Sequence, residues 1–390
     1  MVLCYQIVSV GTERDKNMLK VNYFDKTAEG DPIYAVSLQN KSGAYVQILT
    51  YGAIVRIIKV PDKDGALRDI ALGYDNVEDY RTGDCYFGAV IGRCANRLTG
   101  PSFTLNGKTY HLFDNTGTGV ALHGGKIGFD KKVWTLRQPV VSPEALVTLA
   151  AEDGGELTAE GNEVCLSMIS QSGDEGYPGN LTLDVTYSFS EDNTLALTYC
   201  ARCDQDTILN VTNHSYFNLD GQDCGHDCLD TLVRINADEI TPLGSDFAPT
   251  GEFMKVKDSA YDFNTFKTIR RDLESGHPQL IIGGGYDQNF VIRGGGTPGT
   301  LTQAAEAVSK ESGIKMEVYT DLPGVQFYIG NFIAEQTGKN GAVYNKRSGF
   351  CFETQKFPNA VNIPHFPSVI LRENEVFTTT THYCFGISRI

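Results

Sequence analysis

The stretch LTLDVTYSFSEDNTLALTYCARC, residues 181–203, contains two runs in which apolar and polar side chains alternate one by one, joined by the turn SEDN. Alternation with a period of two puts one set of side chains on each face of a pleated strand, and it offers no single apolar stripe from which a helix could be built. The pattern recurs along the chain. AYVQILTYGAIVRIIKV (44–60) is dense in β-branched and aromatic residues and runs into the turn signal PDKDG. FTLNGKTYHL (103–112) places Asn106-Gly107 between two short strands, the pair that a type I′ hairpin turn requires. Forty-one glycines and nineteen tyrosines suit many short strands linked by tight turns. The best candidate helix, LTQAAEAVSKES (301–312), is mostly polar, and no repeat of fixed period points to a propeller or solenoid. These features predict an all-β protein: one large antiparallel β-sandwich over residues 1–390 with few short helices, residues 1–17 being an N-terminal extension or edge strand. The alternative is two β domains dividing near residue 170. Segments 141–163 and 293–313 read as loops or insertions.

The formal charge of −15, from 48 acidic against 33 basic residues, repels phosphate backbones and anionic lipid surfaces. Nucleic acid and membrane are therefore not expected partners. No stretch approaches the roughly 20 apolar residues needed to span a bilayer, and the N-terminal MVLCYQIVSV has no basic segment before it. The chain reads as soluble and cytosolic. Ten cysteines are scattered over its length. Cys200-x-x-Cys203 and Cys224-x-x-x-Cys228, with His226 inside the second pair, are loosely zinc-like in spacing. Cys200 and Cys203 lie in an alternating strand, however, and point to opposite faces, so ordinary reduced cysteines are the expected reading.

One segment does not read as plain core. In ILNVTNHSYFNL (208–219) the even positions after Ile208 are Asn210, Thr212, His214, Tyr216 and Asn218. A solvent-facing strand would hold Lys, Glu or Arg. Uncharged hydrogen-bonding groups with an aromatic ring and one imidazole suit instead a concave site for a neutral, hydroxyl-rich ligand. Two further segments support it. His123 in ALHGGK stands directly before two glycines, and Glu353 in GFCFETQKFP, near the end of a strand and among phenylalanines, shares a face with Cys351 and Gln355 opposite that of Phe350 and Phe352, as a partly desolvated base would. GRCANR offers Arg93 and Arg97, either of which suits a surface charge equally well.

Taken in order, GRCANR, LHGGKIGFDKKVW, GYPGNL, TNHSYFNL, PTGE, YDQNF, PGVQFYIGNF and ETQKFPNAVN resemble the aldose 1-epimerase family, the galactose mutarotases, from about residue 18 to the C-terminus. The resemblance implies a large galactose mutarotase-like β-sandwich, in agreement with the strand pattern. It implies His214 as general acid and Glu353 as general base, with His123, Asn96, Arg97 and Asp287 holding the sugar. At Asp287 the chain departs from the family's usual sequence, with Gln288 where histidine is common. The reaction implied is interconversion of the α and β anomers of a free aldose such as D-galactose or D-glucose. The base takes the proton of the C1 hydroxyl, the acid protonates the ring oxygen, and the ring recloses on the other face. No metal, nucleotide or covalent intermediate is called for, the partner is a small aldose, and the chain is expected as a monomer or homodimer. With ordinary pKa values of about 4.3 for Glu and 6.5 for His, an ionised Glu and a cationic His coexist near pH 5–6, giving a bell-shaped rate profile. A glycoside hydrolase would need two flanking carboxylates. A non-catalytic sugar-binding protein on the same fold would have lost the acid or the base, and a hexose-phosphate epimerase would carry more Arg or Lys at the site.

Overall fold

The computed structural model describes residues 17–151 and 155–389. Of the N-terminal extension expected over 1–17, residues 1–16 lie outside the described residues. Alternation is realised most cleanly in the strands Leu181–Phe189 and Thr194–Cys203, where every second side chain is buried. They sit within a nine-stranded antiparallel sheet that also takes in Glu163–Ser170, the long C-terminal strand Phe377–Ile387, Ile314–Thr320 and Thr302–Val308. A six-stranded sheet is built from strands within 18–69 with Glu156–Glu160 added at its edge. A five-stranded sheet contains Ala237–Thr241, Asp287–Ile292, Gly324–Tyr328 and Cys351–Gln355.

The three sheets share one core. Leu183, Val185, Leu197 and Phe385 of the large sheet meet Val36, Ile48 and Ile58 of the six-stranded sheet and Phe290, Phe327 and Phe352 of the five-stranded sheet in one contiguous apolar cluster. Tyr187 donates its hydroxyl to the Ala53 carbonyl and Tyr383 donates to the Phe352 carbonyl, so phenols whose rings lie in the core find acceptors across the layers. The hairpin Ser102–Leu105 / Lys108–His111 turns at Asn106 and Gly107, both with positive φ (51° and 77°), as a type I′ turn demands.

The large antiparallel β architecture is as expected, with three short α-helices among the described residues, Val77–Thr82, Pro143–Ala151 and Pro278–Gly283. No described helix is long and apolar enough to cross a membrane. Three local expectations fail. Residues 301–312 are not a helix: Thr302–Val308 is a strand whose last five residues are all buried. Its alanines, covered on both faces, show no alternation and imitate helix propensity. Segment 141–163 is not a bare loop, because it forms the helix Pro143–Ala151 and the strand Glu156–Glu160, which pairs with Met18–Lys26. Likewise, segment 293–313 is irregular only until the strand at Thr302 begins.

Candidate active site

The five-stranded sheet supplies the floor. Its register sets Asp287 opposite Tyr328 and Tyr328 opposite Cys351, with Asn289 opposite Gln326 and Gln326 opposite Glu353. Directly opposed residues share a face. One face thus carries Asp287, Asn289, Gln326, Tyr328, Cys351 and Glu353, while Phe290, Phe327 and Phe352 enter the core. The amides on the polar face bind one another: Gln326 Nε2 donates to Asp287 Oδ1 (2.8 Å), and Gln355 Nε2 donates to Asn289 Oδ1 and Gln326 Oε1 (3.2 Å each). Gln288 lies on the opposite face. Its Oε1 accepts from the Asp287 amide (2.8 Å) and its Nε2 donates to the Gln279 carbonyl (3.1 Å), so the departure at this position concerns the back of the sheet and not the cavity.

His214 is held beside this sheet by a broken strand. Thr212–Asn213 pairs with Val90–Ile91, and Phe217 exchanges backbone hydrogen bonds with Phe350 (2.7 and 2.9 Å). Between them the His214 amide donates to the Ala89 carbonyl (2.9 Å) and its carbonyl accepts from the Gly88 amide (3.0 Å). The expected continuous polar face is only half realised. His214 and Tyr216 line a cavity, whereas Asn210 binds the Lys356 backbone and Asn218 donates to the Ser348 and His226 carbonyls. Those asparagines satisfy backbone groups that the interrupted strand leaves unpaired.

The opposite wall comes from the ANR and HGG segments. Asn96, His123 and Tyr86 all have left-handed backbones (φ 61°, 52° and 57°), conformations that non-glycine residues keep only where surrounding structure enforces them. Enforcement is visible at Gly124, where a Cβ would stand 1.9 Å from the Gly92 carbonyl oxygen. The Asn96 amide donates to His123 Nδ1 (3.2 Å). That ring therefore keeps its proton on Nε2 and offers a donor. Arg97 Nη1 lies 3.8 Å from Asp287 Oδ2. Arg93 is no surface charge: it is buried and donates to the Pro178 and Gly179 carbonyls and to Ser170, tying the GYPG turn in place.

Together these walls enclose a cavity of about 300 Å³ lined by His214, Glu353, His123, Asn96, Arg97 and Asp287 with Tyr86, Tyr216, Tyr328 and Phe332. All six residues singled out in the sequence are thus brought together. Asp84, Asn115, Thr116 and Leu122, with the rings of Tyr86, Tyr328 and Phe332, complete the lining and were not foreseen as lining residues, whereas Tyr216 was. Tyr86 reads as core beside Cys85 and Phe87, and only its left-handed backbone sets it apart; Tyr328 and Phe332 lie in the FYIGNF segment, whose pattern does not say which ring leaves the core. His214 Nε2 stands 3.7 Å from Glu353 Oε1, its Nδ1 is 3.6 Å from Cys351 Sγ, and its ring stacks on Tyr216 with centroids 5.1 Å apart. Glu353 Oε2 is buried without a hydrogen-bond partner.

Burial governs the electrostatics. It pushes His214 from 6.5 down to about 4 and lifts Glu353 well above the ordinary carboxylate range, where Asp287 adds to the rise and Arg97 partly opposes it. His123 is held well below the imidazole range by burial, with His214 and Arg97 adding to the effect. Asp287 is raised by burial against the pull of Arg97 and the Gln326 hydrogen bond. The expected coexistence of an ionised Glu353 and a cationic His214 near pH 5–6 is therefore not favoured in the unliganded site, because desolvation disfavours both charged forms. Between the two titrations His214 and Glu353 share one proton. The nearby atoms of His214, Cys351 and Glu353, all within 4.8 Å of one another, form one of the two groups among the described residues that could hold a metal ion. Cys200 and Cys203 lie on one strand with Cys200 half-buried and Cys203 buried, as alternation predicts, and neither pair is among the groups of the described residues that could hold a metal ion.

A β-sandwich that buries a one-proton His/Glu pair at the foot of a small, polar, ring-lined cavity is equipped for acid–base chemistry on a neutral polyhydroxyl ligand. The aldose 1-epimerase family model matches residues 34–384, and the chain belongs to that family. It is 41% identical to the galactose mutarotase of Homo sapiens over 345 residues, covering 88% of this chain and 91% of the relative, and 30% identical to the aldose 1-epimerase of Escherichia coli over 359 residues, covering 92% and 96%. Among solved structures, an aldose epimerase homologue from C. elegans superposes with a TM-score of 0.78 at 28% identity, covering 91% of this chain and 99% of that one.

Proposed function

We infer that this protein is an aldose 1-epimerase, interconverting the α and β anomers of free hexoses such as D-galactose and D-glucose. The observation that carries the site assignment is the buried pair His214/Glu353, 3.7 Å apart, opening on a cavity at the small end of the roughly 300–1,000 Å³ range of ligand pockets. Glu353 takes the proton of the C1 hydroxyl and His214 protonates the ring oxygen, so the C1–O5 bond breaks to the open aldehyde. Rotation about C1–C2 and reclosure with the proton roles reversed gives the other anomer.

The direction of the pKa shifts has a mechanistic consequence. With the ring closed, the reactive arrangement is Glu353 ionised and His214 protonated. After opening, Glu353 carries the proton and His214 is neutral, the arrangement that burial favours. The site therefore stabilises the proton distribution of the open-chain species, in accord with catalysis by preferential binding of what lies beyond the ground state. His123, through its Nε2–H, with Asn96, Arg97 and Asp287, holds the ring hydroxyls, and the aromatic rings pack on its C–H faces. Polarimetry of freshly dissolved α-D-galactose and α-D-glucose tests the reading. Rotation relaxing faster than in buffer with wild type and not with Glu353→Gln supports it, and sugar binding without acceleration by the wild type refutes it.

A further inference from the structure

A second histidine–carboxylate cluster lies on the outer side of the loop that follows His214. His226 Nε2 is 3.6 Å from Glu311 Oε2 and 4.0 Å from Asp220 Oδ2, and the three ligand atoms lie within 4.8 Å of one another. Two separate elements supply them: the loop after the NHSYFNL segment and the hairpin between Thr302–Val308 and Ile314–Thr320. The surroundings fix the imidazole. His226 Nδ1 is 3.0 Å from the Asp227 carbonyl oxygen, an acceptor, so Nδ1 carries a hydrogen and the neutral ring turns the bare lone pair of Nε2 toward two carboxylate oxygens. That arrangement is repulsive unless a positive charge stands between them.

We propose that Asp220, His226 and Glu311 form a binding site for a divalent transition-metal ion of the zinc class. A histidine that donates its other ring N–H to a backbone carbonyl is the usual support for a metal-bound imidazole. Asp220 is prepared in the same way: its Oδ1 accepts from the Ser309 hydroxyl and the Ser312 amide (3.3 Å), which leaves Oδ2 to face the cluster. Zinc bonds of about 2.0–2.2 Å in tetrahedral geometry put ligand atoms roughly 3.4 Å apart, so the separations from His226 of 3.6 and 4.0 Å need close by only a few tenths of an ångström, and the widest, within 4.8 Å, by at most about 1.4 Å. The side chains of His226 and Glu311 are 44% and 68% exposed and free to make that adjustment. Arg68, whose charge also reaches Asp220 and Glu311, already binds Asp62 through Nε and the Asp220 carbonyl through Nη1. Water completes the coordination. Bound there, the ion clips the 309–313 turn to the loop whose His226 carbonyl accepts from Asn218 of the NHSYFNL segment.

The test is calorimetric titration of the full chain, stripped with EDTA and desalted, with Zn²⁺ alone at about pH 7.5. Expected is saturable binding of one equivalent with a rise in melting temperature, and weakening by at least ~10-fold in both His226→Gln and Glu311→Gln, with mutarotation unchanged in the metal-free variants. Two variants guard against a folding defect in either one. No saturable binding would mean that a proton alone bridges the cluster and overturns the proposal. Zinc that slows mutarotation and binds His226→Gln as tightly as wild type lies instead among His214, Cys351 and Glu353, which overturns it equally.

Discussion

The molecule contains two histidine–glutamate pairs of almost identical separation: His214–Glu353 at 3.7 Å and His226–Glu311 at 3.6 Å. The first pair is 5% and 2% exposed, the second 44% and 68%. Distance therefore cannot explain why one pair is suited to proton transfer and the other to holding a cation. Desolvation can. Inside, neither charge is solvated and both groups are driven toward neutrality, which leaves one mobile proton whose position can change with the substrate. Outside, water solvates the carboxylates, and two carboxylates around one imidazole lone pair attract a cation. Identical functional groups acquire different chemistry from the layers above them.

The largest effect that should separate the pairs is on rate. Glu353→Gln or His214→Asn should lower kcat/KM for mutarotation by about 10²–10⁴-fold, with the double variant little worse than either, since the two act as a unit. Equal losses from His226→Gln would erase the distinction. The pH profile sharpens it. Activity should require the one-proton form of the buried pair, so the acid limb should fall near pH 4, where His214 takes a second proton, and the alkaline limb should lie above the ordinary carboxylate range, where Glu353 loses the last. A limb centred at 6.5 would show that burial does not set the site.

Stability should show the same asymmetry. The folded pKa of His214 is depressed, so its own contribution to stability is lost as pH falls from 6.5 to about 4, by about 3 kcal/mol at most, while the raised Glu353 acts in the opposite sense. His214→Asn should flatten that part of a urea-denaturation series, and His226→Gln should leave it in place. A smaller effect is expected at the ligand-holding wall: Arg97→Gln should raise KM for galactose about tenfold with a lesser change in kcat, the mark of lost ground-state binding. Smallest of all, His226→Gln without metal should shift stability by no more than about 0.5 kcal/mol, as surface substitutions do. These are readable by polarimetry and denaturation on one set of variants.

Much of the fold was legible because strands announce themselves locally. The pair 181–203 and the Asn106-Gly107 hairpin follow from alternation and turn chemistry within a dozen residues. The failures occur where burial is two-sided. Thr302–Val308 shows no alternation because both its faces are covered, and its alanines then imitate a helix. The site was legible in part for a different reason: His214, Glu353 and His123 stand in segments whose neighbours are wrong for ordinary surface, and the family resemblance extends to all six residues. What the segments could not show is which of their polar residues face the ligand. Asn210 and Asn218 look like a polar floor, yet they satisfy backbone groups, while Tyr86 looks like core and lines the cavity.

The amino-acid sequence by itself determined the strand pattern, the tight turns and the net acidic charge, since each rests on side-chain chemistry or on backbone preferences within a few residues, while the acid and base roles proposed for His214 and Glu353 rest on the family resemblance. Tertiary structure alone decided that Glu353, more than a hundred residues from His214, stands 3.7 Å from it, that Gln288 faces away from the cavity, and that the pair shares one proton. Separation, facing and desolvation are properties of packed layers, set by all the residues that exclude water from the site and by none of them singly.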